Sequence, residues 1–294
     1  MKEWILSFIL LIFGLTSMAM AKAEPMTVFV SILPQQYVVE KIAGETVHVV
    51  TMIPPGSEPE TYEPKPSQMK ELAKAKIYFS IDVPFEKTWL PKIKASNPTL
   101  KMFRVDQGIQ KIHMANHTHE GDSHVHKHTH KGMKDPHIWL SPVLMKKIAE
   151  NTYEGLVLVA PQHKEKYLQN KDSLLKEIDK LDATIRSIVK GMPKKSAFMV
   201  FHPAWGYYAK EYNLEQIAIE VDGKEPKPAQ LKKVLQTAKA RHVRVIFVQP
   251  QFSQKIARQV AKTIGATIMV ADPLALDWAN NLLHQTKAFQ KAVE

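Results

Sequence analysis

Cysteine is absent from the 294 residues, which excludes disulfides and also a lipid-anchored cysteine behind an export signal. Past the first two dozen residues, no apolar run approaches the roughly eighteen that a membrane span needs, so no stable membrane insertion is expected. The chain has no HExxH or comparable helix motif of a metallohydrolase, no P-loop, no Gly-rich dinucleotide fingerprint and no nucleophile elbow. Internal repeats at a short fixed period are missing too. These absences point away from an enzyme and toward a binding protein.

What is present begins with a leader. Met1 and Lys2 are followed by the apolar run Trp4 to Leu15 and then by Ser17-Met18-Ala19-Met20-Ala21-Lys22-Ala23. A charged start, a short apolar stretch and small residues at an A-x-A site form a secretory signal over residues 1–21, too short to cross a membrane. The mature protein is expected to be exported, soluble and periplasmic. A net charge of +11 raises the question of nucleic acid. Export argues against that, and Lys70, Lys74, Lys146, Lys147, Lys232 and Lys233 lie in helical patterns without interleaved aromatics, as on solvated helix faces.

The pattern of the mature chain is α/β, in two lobes with parallel sheets. Residues 26–32, 46–53, 77–81 and 100–105 read as strands, with helices from Pro34 to Ala43, over 68–75 with Ser67 as N-cap, and around 85–94. That alternation defines a first lobe over residues 22–160. Ser141-Pro142 launches a helix toward Val159. From His163 to Lys190, Leu174, Ile178, Leu181, Ile185 and Ile188 recur at steps of three and four. At about 1.5 Å per residue this is a rod of roughly 40 Å, read as a rigid backbone helix linking the lobes (161–192). The apolar stripe lasts barely three heptads, too short for a dimerisation arm, and a monomer is expected. A second lobe (193–294) follows, with strands over 196–201, 216–219, 243–248 and 266–270 and helices near 205–212, 228–240 and 253–264, the last ended by Gly265.

Residues 113–130 hold His113, His117, His119, His124, His126, His128 and His130, seven of the thirteen histidines, with almost no apolar residue. Such a segment cannot bury enough surface to offset the entropy of ordering, and is read as a solvated metal-capture loop. Asp135-Pro136-His137-Ile138-Trp139-Leu140 differs: Pro136 stiffens it and its apolar residues pack. Ligands in parallel sheets bind beyond the carboxyl ends of the strands. There the chain places Glu58-Pro59-Glu60, His202-Pro203 and Asp272-Pro273, and His137 arrives from the end of the first lobe. Each of the four candidates, Glu60, His137, His202 and Asp272, adjoins a proline that limits the entropy lost on binding. Trp139, Trp205, Tyr62 and Tyr207 lie close by and are read as core, while His48, His163, His242 and His284 are read as structural or surface residues.

Six segments, PGSEPETYEP (55–64), DPHIWL (135–140), FHPAWGYYAKEYNL (201–214), GKEPKPAQL (223–231), VQPQFS (248–253) and ADPL (271–274), resemble the signature blocks of the periplasmic zinc- and manganese-binding proteins of ABC importers, nearest to the zinc-uptake ZnuA type. The likeness covers nearly the whole mature chain. It implies a metal in the inter-lobe cleft and hand-over to an ABC membrane permease. The family's ligand positions fall on His137, His202 and Asp272, with Glu60 where a histidine is usual, and Glu58 next door competes for that place. Two imidazoles with two carboxylates suit zinc and also manganese or iron; the histidine run favours zinc, with copper or nickel behind it. The rival readings are a manganese or iron receptor of the same type, a metal-dependent hydrolase, and a passive metal buffer.

Overall fold

The computed structural model describes residues 24–114, 134–221 and 223–293. The export signal read over 1–21 lies outside them, as do His117, His119, His124, His126, His128 and His130. His113 stands at the edge of the histidine run, bridged to Lys134 in antiparallel fashion.

Two parallel sheets of four strands organise the molecule. The first contains β1 (Met26–Val30), β2 (Val47–Thr51), β3 (Ile77–Ser80) and β4 (Lys101–Arg104) in the order β2-β1-β3-β4. Its register is set by pairs such as Val28 with Val49 and with Ile77. The second repeats the plan with β5 (Ala197–Val200), β6 (Glu215–Ala218), β7 (Val245–Val248) and β8 (Thr267–Val270), in the order β6-β5-β7-β8. Most strands are a residue or two shorter than their apolar runs, because the runs continue into the turns that carry the site.

The helices are α1 (Leu33–Ala43), α2 (Pro66–Leu72), α3 (Pro84–Ser96), α4 (Pro142–Val159), α5 (Lys164–Lys190), α6 (Gly206–Glu211), α7 (Pro228–Ala240), α8 (Lys255–Ile264) and α9 (Trp278–Val293). Proline at the first position starts α2, α3, α4 and α7, where its missing N–H costs nothing. Ser141 caps α4 by accepting from the Leu144 backbone N–H at 3.2 Å. Ser67 does not cap α2: Pro66 begins the helix one residue earlier, and the Gln68 side chain accepts from the Lys65 N–H at 2.9 Å. Gly265, with φ +74°, ends α8 in the left-handed conformation glycine adopts without strain. Among the described residues no helix is long and apolar enough to cross a membrane.

The long helix α5 buries Tyr167, Leu174, Ile178, Leu181 and Ile185 along one stripe. Each buried aliphatic there contributes about 1.5–3 kcal/mol relative to exposure in water. That stripe packs against α1 and α4 of the first lobe and against α9 of the second. A single apolar cluster therefore runs from Phe29 and Phe79 through α5 to Phe198, Trp205, Phe247 and Phe289. The second sheet is covered on both faces: Phe198 and Val200 of β5 point into that cluster, while Met199 and Phe201 join Ile217, Ile246 and Val260 on the far side.

The helix α9 has no counterpart in the expectations above. Its buried Trp278, Leu282, Gln285 and Phe289 recur at steps of four and three, a helical period interrupted by a polar residue. Through Phe289, stacked on Phe198 at 4.2 Å, it closes the open face of the second sheet.

Candidate metal centre

In each sheet the strand order reverses once, between β1 and β3 and between β5 and β7, and such a reversal opens a crevice beyond the carboxyl ends. His202 stands at the second crevice, one residue past the Phe201 that follows β5. Gln249, directly after β7, fixes its backbone from both sides. The side-chain oxygen of Gln249 accepts from the His202 N–H at 3.1 Å, and its Nε2 donates to the His202 carbonyl at 2.8 Å.

The two histidines are held in matching ways. His202 Nδ1 lies 2.6 Å from Glu220 Oε2, and its ring stacks on Phe252 at 4.6 Å. His137 Nδ1 lies 2.7 Å from Asp135 Oδ1, which also accepts the His137 backbone N–H at 2.9 Å. A carboxylate only accepts, so in each neutral ring the proton sits on Nδ1 and the lone pair on Nε2. Those two Nε2 atoms face each other at 3.4 Å. Two lone pairs so placed repel unless a proton or a cation stands between them. Both rings are buried, at 8% and 4% exposure for His137 and His202.

Around them Glu58, Glu60, Trp139 and Phe252 help line a cavity of about 20 Å³. One water-sized body needs roughly 10–15 Å³, so the space suits a single ion. Glu60 Oε2 approaches the second lobe, 3.9 Å from where a Cβ on Gly223 would stand. Burial, and after it the neighbouring Glu60 carboxylate, push Glu58 above the usual carboxylate range. A cation entering the cleft relieves that repulsion.

Asp272 is adjacent, with Oδ1 accepting from Gln251 Nε2 at 2.8 Å and from the Leu274 N–H at 2.9 Å. The structure thus brings the two imidazoles together, sets Glu60 in the wall of the same cleft and ties Asp272 to its rim. Among the described residues no group of three or more histidine, aspartate or glutamate side chains is arranged to hold a metal ion.

The segments carrying these groups are linked through buried tryptophans. Trp139 Nε1 donates to the Pro273 carbonyl at 2.7 Å, and Trp278 Nε1 donates to the Trp139 carbonyl at 2.7 Å. Sequence reasoning missed Glu220, Asp135 and Gln249 as functional residues. Glu220 had a usable signal, since it directly follows the strand read over 216–219, and Gln249 likewise follows β7.

Two doubly wound lobes joined by a long helix and closed on an ion-sized cavity define a two-lobed solute receptor. The chain belongs to the family described as ZnuA, zinc-uptake complex component A, periplasmic, whose model matches residues 28–292. It is 31% identical over 258 residues to the high-affinity zinc uptake system protein ZnuA of Bacillus subtilis (strain 168), covering 86% of this chain and 80% of that protein. A crystal structure of ZnuA superposes with a TM-score of 0.84 at 38% identity, over 92% of this chain and 100% of the other. A zinc-bound ZnuA deletion mutant gives 0.83 at 38% identity, over 92% and 98%.

Proposed function

We infer that this protein is the zinc-binding receptor of an ABC importer, which captures the ion in the periplasm and delivers it to a membrane permease. The observation that carries the reading is the 3.4 Å separation of His137 Nε2 and His202 Nε2. Two nitrogens about 2.0–2.1 Å from one zinc ion at the tetrahedral angle stand about 3.3–3.4 Å apart. The rings already have the bite of the ion, and their Nδ1 partners present the lone pair it needs.

Glu60 and Asp272 complete the centre in this reading, and their carboxylates offset the charge of a divalent cation taken out of water. Four protein ligands leave no open coordination position for water activation, which suits carriage and not catalysis. The histidine-rich run 113–130 supplies further, weaker sites.

Competition titration of the mature protein with zinc and manganese tests this. One tight, zinc-preferring site is expected, abolished by His137→Ala combined with His202→Ala. Acidification releases the ion, because imidazole binds metal only when neutral. Retention of the tight site in the double variant would overturn the assignment.

A further inference from the structure

The imidazole of the first lobe is aimed by the second. Asp135, which holds His137 Nδ1 with its Oδ1, is buried at 1% exposure, and its other oxygen faces α6 across the lobe boundary. A Cβ on Gly206 would stand only 2.7 Å from Asp135 Oδ2. The carboxylate therefore occupies the space that any other residue at 206 would fill.

The next residue grips the same segment by its backbone. The Tyr207 hydroxyl donates to the Asp135 carbonyl at 2.8 Å and accepts from the Ile112 N–H at 3.1 Å. Asp135 N–H in turn donates to the Ile112 carbonyl at 2.9 Å. Three hydrogen bonds thus close a ring between residues 112 and 135 of the first lobe and one hydroxyl of the second. Burial, and then the nearby Asp135 charge, push the Tyr207 hydroxyl well above its usual range, so it stays a neutral donor.

Gly206 and Tyr207 follow His202 by four and five residues. The stretch that delivers one imidazole also sets the base of the other, and neither contact exists within the first lobe alone. We propose that Gly206 and Tyr207 of the second lobe are positioning residues for ion capture, aligning His137 of the first through Asp135. This rests on the zinc site proposed above.

The test is a double-mutant cycle on zinc affinity in the mature protein, with the metal-free protein followed by NMR. Tyr207→Phe is expected to weaken zinc about tenfold, the low end of the range for loss of a partner that orients a ligand. In the Asp135→Ala background its effect should shrink below about twofold, because no side chain at 135 then reaches His137 Nδ1. Beside Glu220→Gln, which acts on the other ring, it should keep its full size. Gly206→Ala, which leaves the hydroxyl in place, should weaken zinc in the same Asp135-dependent way, and it answers the question if Tyr207→Phe fails to fold. In the metal-free protein both variants should shift the Nδ1–H proton resonance of His137 and leave that of His202 unmoved.

Equal weakening in both backgrounds, or no weakening with an unmoved His137 resonance, overturns the inference. Failure of the underlying site looks different, because the His137→Ala and His202→Ala double variant would then still bind zinc tightly.

Discussion

Glu220 grips His202 by Nδ1 at 2.6 Å, although 18 residues of chain separate the two. The contact joins the ends of neighbouring strands β5 and β6, and with 7% and 4% exposure the pair is closed to water. It keeps Nε2 bare toward the cleft and increases the basicity that the metal meets.

Replacing Glu220 by Gln keeps the shape and lets the amide meet Nδ1 through either its oxygen or its nitrogen, so the tautomer is no longer imposed. Zinc affinity should fall about 10- to 100-fold, measured by chelator competition. Unchanged affinity with a native circular dichroism spectrum would show that the carboxylate does not act on the ring.

A second buried carboxyl predicts a pH dependence of stability. Glu86, at the start of α3, accepts from Ser31 Oγ at 2.5 Å and from the Ile81 and Asp82 N–H groups at 2.9 and 2.7 Å. Burial dominates all the same and pushes its pKa up to about 7 from 4.5. An acid with a raised folded-state value binds more protons folded than unfolded. Its contribution is fully present below about pH 4.5 and is lost as pH rises toward 7. The urea stability of Glu86→Gln relative to the parent should therefore improve by about 3 kcal/mol between pH 4.5 and 8. A pH-independent difference would show that Glu86 ionises normally.

Much of this architecture was legible in the chain because its signals are local. Alternating apolar strands, prolines at helix starts and the step of Leu174, Ile178, Leu181 and Ile185 are set within a few residues of one another, and the fold honours them. Rules about strand ends likewise found His202 and the Glu58 to Glu60 turn. The partners of the imidazoles were harder to see, since a hydrogen bond such as Tyr207 to Asp135 spans 72 positions and leaves no periodic trace. Tyr207 read as core for a sound reason, being 5% exposed; burial hid the hydroxyl that does the work. The helix α9 escaped because Gln285 and Thr286 interrupt its apolar stripe, and both are buried regardless.

Close packing of α4 on the first sheet gives a prediction independent of any metal. A Cβ on Gly155 would stand 2.3 Å from Phe79 Cε1 and 3.0 Å from Phe103 Cγ. Phe79 and Phe103 are themselves locked edge to face at 6.1 Å, so neither ring turns aside freely. Gly155→Ala should destabilise the fold by about 1–3 kcal/mol despite the better helix propensity of alanine. Thermal unfolding of the metal-free protein checks this, and zinc affinity should stay within about twofold of the parent.

The histidine-rich run can be separated from the cleft by deletion. His113 and Lys134 are bridged, so the ends are already close and a short Gly-Ser link can replace residues 115–130 with little change in loop entropy. If His137 and His202 form the tight site, the shortened chain should keep one zinc equivalent with affinity within about twofold of the parent. The weaker equivalents contributed by the run should disappear, and acidification should release them, since imidazole binds metal only when neutral. Calorimetric titration resolves the two classes by stoichiometry. A tight site that vanished with the deletion would mean that a histidine between 117 and 130 enters the first coordination sphere, and the cleft would then need the run to close on its ion.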